Sequence, residues 1–241
     1  MLVTNFNTEA HVQRVRSLGP VLFLSLAALT LACNDSTGPA ASRNQVGTGS
    51  LTLLVDGDIE GQDVPGGFVT QFLVHVANAT GTPVSGATVR VQNTALGTVN
   101  LLELSAGSGD YEASVNTFGS GDYGLTVTRG TDNVQGVVVG GMSAHGIARP
   151  RADTTLTAGQ PFTITWTRPS EAAGADMETR DFTASGIPDV GTYTVLGVNN
   201  PARPDQRVRV WRYNQVNPAG ALAGSRLRLS IRNTVEPIIV Q

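Results

Sequence analysis

From residue 50 onward the chain runs in short apolar or alternating stretches separated by clusters of Gly, Pro, Asn and Asp. No stretch keeps the 3.6-residue period of an amphipathic helix long enough to predict one, so the expectation is an all-β fold. Alternation marks seven strands: Ser50 to Val55, Phe68 to Ala77, Ala87 to Gln92, Thr98 to Leu104, Asp110 to Val115, Tyr123 to Thr128 and Asn133 to Val139. Seven short strands in about ninety residues is the scale of one sandwich domain of about 100. Further on, Phe162, Ile164 and Trp166 share one face of a strand that Pro169 ends. Gln206 to Asn214 and Ser225 to Arg232 alternate cleanly and predict a final hairpin with its loop at Asn217 to Gly224.

The pattern upstream is different. Arg14 and Arg16 precede the apolar run Val21 to Ala32, interrupted only by Ser25 and Thr30. A charged start followed by a greasy stretch shorter than the roughly 20 residues of a membrane span is the signature of a secretory signal peptide. Leu29-Thr-Leu-Ala-Cys33 resembles the lipobox of bacterial lipoproteins, and the resemblance implies that Cys33 is acylated and becomes the new N-terminus. Residues 34–49 are rich in Ser, Thr, Gly, Ala and Asn without periodicity and read as a flexible tether. The expected order is therefore signal peptide 1–32, acylated Cys33 with linker to 49, and two tandem immunoglobulin-like β-sandwich domains at 50–139 and 140–241. A hinge is expected near Met142 to Ala152.

Specific segments support the sandwich class. In Gly81-Thr-Pro-Val-Ser-Gly-Ala-Thr-Val-Arg-Val91, Pro83 and Gly86 shape a turn, after which Ala87, Val89 and Val91 point one way. This segment, with Gly109-Asp-Tyr111 and Gly121-Asp-Tyr123, resembles bacterial Ig-like domains of the invasin type and carboxypeptidase-regulatory-type domains; in both, such a stretch is scaffold. Pro161 to Pro169 is similar to the second strand of fibronectin type III domains, and Asp189-Val-Gly-Thr-Tyr193 resembles the tyrosine corner of sandwich folds.

Composition narrows the chemistry. Cys33 is the sole cysteine, so a disulfide framework and a Cys-rich metal site are both excluded. Lys is absent, and all 16 basic residues are Arg. Gly119-Ser-Gly121-Asp-Tyr-Gly124 spells a dinucleotide fingerprint, but a strand follows it where a helix N-terminus is needed to meet the pyrophosphate. Nucleophilic catalysis needs a base beside the nucleophile. After the leader only His75 and His145 are available, Cys33 is committed to lipid, and no G-x-S-x-G motif occurs. No catalytic residue and no cofactor are assigned, and the chain is expected to be non-enzymatic.

Two clusters remain. Asp56, Asp58 and Asp63, with Glu60, form a weak calcium candidate; they lack EF-hand spacing and read first as an acidic loop between strands. Glu171, Asp176, Glu178 and Asp181 read the same way. The charge distribution is more telling: residues 50–138 carry nine acids against Arg90 and Arg129, a net of −7, whereas residues 139–241 carry eleven Arg against eight acids, a net of +3. Arg207 and Arg209 alternate with Val208 and Val210, and Arg226, Arg228 and Arg232 with Leu227, Leu229 and Ile231. These five, with Trp211, Arg212 and the neighbouring Tyr213, form a candidate ligand face for an anionic glycan, a lipid headgroup or an acidic envelope protein. Nucleic acid is not an expected partner for an exported chain of net charge −3. The sequence thus points to a lipid-anchored cell-envelope protein, periplasmic or cell-surface, acting as a structural spacer or an adhesion and binding module. The alternative is a polysaccharide-binding accessory protein using the Arg and Trp face, with a calcium-dependent adhesin as a third possibility.

Overall fold

A computed structural model describes residues 51–241. The leader, Cys33 and the tether lie outside the described residues. Strands β1 (Leu53–Val64) and β2 (Gly67–Asn78) form a hairpin paired from Leu53↔Asn78 to Val64↔Gly67. Its turn is Pro65-Gly66: proline presets φ at the first position, and Gly66 takes φ +96°, which a side chain disfavours.

Strand β1 runs on to Val64, well past the end that alternation predicts at Val55. Leu53, Val55 and Ile59 are buried, and the inward positions in between and beyond are Gly57 and Gly61. A Cβ on Gly57 would stand 3.2 Å from Leu227 Cδ1 and 3.3 Å from Leu125 Cδ2, and one on Gly61 would enter the Phe118 ring. Glycines that read as loop punctuation are thus the room that large neighbours occupy. Asp56, Asp58 and Glu60 consequently sit mid-strand on the outward face, and the expected acidic loop does not exist.

Strands β3 (Thr88–Asn93), β4 (Gly97–Glu103), β5 (Asp110–Val115), β6 (Tyr123–Arg129) and β7 (Asp132–Val138) complete the first half. The order β1-β2-β5-β4 faces β4-β3-β6-β7, with β4 joining β3 along its first part and β5 through Leu102 and Glu103. This is the immunoglobulin arrangement, four strands against three, with one strand changing sheets. Tyr123 opens β6; its hydroxyl donates to the Gly119 carbonyl (3.0 Å) and accepts from the Gly119 N–H (2.8 Å), and burial pushes its pKa up to about 12. That is the tyrosine corner of the fold. Tyr193, where the sequence pattern places a corner, instead stacks its ring on Phe182 at 6.3 Å.

The second half contains β8 (Ile147–Arg149), β9 (Thr155–Leu156), β10 (Phe162–Trp166), β11 (Gly174–Thr179), β12 (Thr183–Ile187), β13 (Thr192–Val195), β14 (Arg203–Val216) and β15 (Arg226–Val240). The sheet β13-β10-β8 packs on β12-β11-β14-β15, with β9 added in parallel at the far end of β15. Ile164, Trp166 and Val195 from one sheet meet Met177, Val208, Val210 and Ile238 from the other in a second core. The chain is therefore all-β and built from immunoglobulin-like sandwiches.

The two halves share the β14–β15 hairpin. Its base, with Val208, Val210 and Ile238, fills the second core, while Leu227, Leu229 and Ile231 farther along are buried in the first. Along that stretch β15 pairs in parallel with β1, from Asp56↔Arg226 to Gln62↔Arg232. The hairpin loop is fastened as well: Ala219 exchanges backbone hydrogen bonds with Gln135, and the Leu222 N–H donates to the Leu53 carbonyl. The expected hinge is packed rather than loose. Met142 lies in the first core, His145 is 2% exposed, and Asn214 donates to the Val139 carbonyl at 2.9 Å.

Candidate binding face

The candidate face is the outward side of β11, β14, β15 and β1. Period-two alternation turns Val208 and Val210 inward and leaves Arg207, Arg209, Trp211 and Tyr213 partly exposed on the other side. On β15 it turns Leu227, Leu229 and Ile231 inward and Arg226, Arg228 and Arg232 outward. On β1 the same parity presents Asp56, Asp58 and Glu60, and on β11 Asp176 and Glu178.

Pairing of these strands brings every outward Arg to a carboxylate. Arg226 bonds Asp56 at 2.6 Å and Asp58 at 2.8 Å. Arg228 bonds Asp176 at 2.7 Å and lies 4.0 Å from the Tyr213 ring centre, a cation–π contact. Arg207 and Arg209 share Glu178 at 2.7 and 3.4 Å. Arg232 reaches Glu60 at 3.3 Å, and the Trp211 indole N–H donates to the same carboxylate at 2.7 Å. Five guanidinium groups thus meet five carboxylates. Part of the charge asymmetry between the halves is met internally, three acids of β1 against Arg226 and Arg232 of β15, and the face alternates in sign.

Titration follows this packing. Burial raises the pKa of Asp58, with Arg226 opposing it. Burial works against the Arg226 cation too, but the Asp56 hydrogen bond and the nearby Asp58 charge outweigh it and raise the pKa. Arg209 is lowered, first by burial and then by the like charges of Arg207 and Arg232. Its Nε is buried without a hydrogen-bond partner.

Arg212 is a correction to the expected face. It stands in phase with Val208 and Val210, so it points inward and is 1% exposed. Its Nε and Nη2 donate to Asp189 Oδ2 at 2.9 and 2.6 Å, and Nη2 also reaches the Ser170 carbonyl. The Trp166 indole donates to the other Asp189 oxygen at 2.8 Å. His145 belongs to the same buried cluster: its Nε2 bonds the Val210 carbonyl at 3.1 Å, and burial, then the Arg212 charge, lower its pKa to about 4. A carbonyl only accepts, so Nε2 carries the proton of the neutral ring.

The calcium candidate is also corrected. Arg226 occupies Asp56 and Asp58, placing a cation where a metal would have to sit, and Asp63 accepts from Asn233 at 3.3 Å. Among the described residues no three His, Cys, Asp or Glu converge as a ligand set. His75, outward on β2, bonds Asp110 at 2.7 Å, and Asp181 of the second acidic cluster bonds Arg203 at 2.8 Å.

Between β12 and β2 the face dips into a groove of about 360 Å³ floored by Trp211, Arg228 and Ser230 and walled by Leu73, Gln71 and Thr183. The carboxylates that neutralise the face were present in the sequence as two period-two runs, 56/58/60 and 176/178. Their partners were not legible, since Asp56 and Arg226 are 170 residues apart.

No family model matches the chain, and no curated protein matches it. Among solved structures, similarity extends to fibronectin(III)-like modules of Clostridium thermocellum CbhA, at 13% identity and a TM-score of 0.25, covering 74% of this chain and 92% of that one. The Yersinia pseudotuberculosis adhesin InvE aligns at 14% identity and a TM-score of 0.28, over 76% of this chain and 60% of the adhesin. The IG1+IG2 pair of DIP-gamma aligns at 11% identity and a TM-score of 0.26, over 79% of this chain and 98% of the other. The fold assignment rests on the strand order and the tyrosine corner described above.

Proposed function

We propose that this chain is a non-enzymatic scaffold of the cell envelope, held to a membrane by lipid on Cys33 and acting as a spacer or adhesion module. The observation that carries the scaffold role is the shared β14–β15 hairpin. Seven residue pairs between β1 and β15 join the two sandwiches into one hydrogen-bonded sheet, and apolar residues of one strand are buried in both cores. Two sandwiches joined only by a linker move independently by default. Here relative motion would break the β1–β15 ladder and pull Leu227, Leu229 and Ile231 out of the first core, which suits a part that must hold distance or bear load. The lipid anchor is supported by the charged and apolar leader ending at Ala32-Cys33. The 16-residue tether 34–49 gives a reach of roughly 22 Å, close to the membrane surface.

The test has two arms. Mass spectrometry of the mature N-terminus from bacterial cells is expected to find acylated Cys33, and Cys33→Ser is expected to leave the membrane fraction; an unmodified leader refutes the anchor. Urea unfolding of residues 50–241 is expected to give one transition with coincident tryptophan fluorescence and circular dichroism, whereas two separated transitions refute the single scaffold.

Polysaccharide binding is a second role, favoured by the groove over Trp211. The neutralised face fits a neutral glycan better than an anionic one. A glycan array probed with wild type and Trp211→Ala separates the roles: specific binding lost in the variant assigns the groove to sugar.

A further inference from the structure

The arginines of β14 and β15 are all matched to carboxylates, but four others among the described residues, Arg90, Arg129, Arg149 and Arg151, are not, and the last two share a concavity. Among the described residues Arg149 and Arg151 have no carboxylate partner and no side-chain hydrogen bond. Both line a concavity of about 820 Å³ on the other sheet of the second sandwich, at the edge strand β8. Arg149 pairs with Thr165 of β10, so its side chain stands on the same outward face as Thr165 and Thr163. Pro150, Leu156 and Phe162 supply the apolar part of the lining, and no carboxylate contributes to it. Asp153 follows Arg151 by two positions without lining the concavity.

We infer that this concavity is a binding site for a phosphate or sulfate ester, taken through its tetrahedral oxyanion by Arg149 and Arg151. Two planar guanidinium forks without internal partners provide charge and several directed N–H donors, the arrangement that matches phosphate and sulfate oxygens. The Thr154 and Thr165 hydroxyls make no other side-chain hydrogen bond and add two donors along the rim. Both arginines are exposed, and the apolar lining beside them gives the organic part of the ester a surface to cover. An anion that needed only a counter-charge would find no use for Leu156 and Phe162, whereas an ester uses both parts. The site is independent of the Trp211 groove and of the lipid anchor.

Calorimetric titration of the full chain tests it with four probes: inorganic phosphate, glucose 6-phosphate, phosphatidylglycerol vesicles and phosphatidylcholine vesicles. Saturable binding of the sugar phosphate, of phosphatidylglycerol vesicles or of both supports the site and separates a soluble ester from a lipid headgroup. The double variant Arg149→Gln/Arg151→Gln is expected to weaken that binding by about tenfold or more, since each charged hydrogen bond contributes more than a neutral one. Arg90→Gln/Arg129→Gln removes the same charge from β3 and β6 and is expected to leave binding unchanged. Equal weakening by both double variants reduces the effect to net charge and overturns the site. So does an absence of saturable binding to any phosphate probe, equal binding to phosphatidylcholine, or a preference for inorganic phosphate over its esters. Equal melting temperatures of the variants establish that folding is not the variable.

Discussion

The substitution Asp189→Asn removes one charge from the buried cluster and isolates its energetic weight. Asp189 and Arg212 have side chains 4% and 1% exposed and lie 2.6 Å apart, which at an effective dielectric of about 20 is a gross attraction of about 6 kcal/mol. Much of this offsets the cost of taking two ions out of water, so the pair as a whole contributes little net stability. Breaking it is another matter. The neutral amide would keep an acceptor for Trp166 yet leave the Arg212 cation buried and unmatched, for which about 3–5 kcal/mol of destabilisation is expected. Arg226→Gln at the half-exposed Asp56 contact should cost at most about 1 kcal/mol. Urea unfolding of both variants measures the difference, and the double variant Arg212→Met/Asp189→Leu should recover part of the loss, the Trp166 indole N–H then lacking its acceptor. Equal losses for Asp189→Asn and Arg226→Gln, or a double variant no better than the single, would refute the assignment of the cluster as a buried pair.

The same cluster sets a pH response. Burial and Arg212 lower the His145 pKa to about 4, against about 6.5 in an unfolded chain, so between those values the unfolded state binds more protons. Stability should therefore fall as pH drops through that window, by up to about 3 kcal/mol, and level off below it. Unfolding free energies of wild type and His145→Gln at several pH values check this, the variant having the shallower slope. Gly61→Val should destabilise by about 1–3 kcal/mol, because the added atoms enter the Phe118 ring. Thermal melts of that variant, alone and with Phe118→Ala, test the overlap: the second change should recover part of the loss.

Alternation made most strands legible, and parity alone separates Arg207 and Arg209 from Arg212, which shares its phase with Val208 and Val210. Charge places Arg212 with its outward neighbours, whereas phase places it inward. Strand β1 outruns its expected end at Val55 for a different reason: Gly57 and Gly61 carry no apolar signal, although they occupy core positions. Arg149-Pro-Arg151 lay in a segment read as a hinge, where no strand pattern gave the two side chains a common face. The continuous sheet was not legible at all, because no local spacing records that Arg226–Arg232 lies beside Asp56–Gln62.

That adjacency has a consequence for assembly in time. One edge of β1 waits for a strand that emerges about 170 residues later, and until then Leu227, Leu229 and Ile231 are missing from the interior they complete. A chain that emerges from its amino end therefore carries an open ladder and an unfinished interior until residues 226–232 have followed. Long-range closure of this kind slows folding and leaves an adhesive edge exposed in the interval. Aggregation of the partly made chain, and loss of the fold on deleting β15, are where that delay should be felt first.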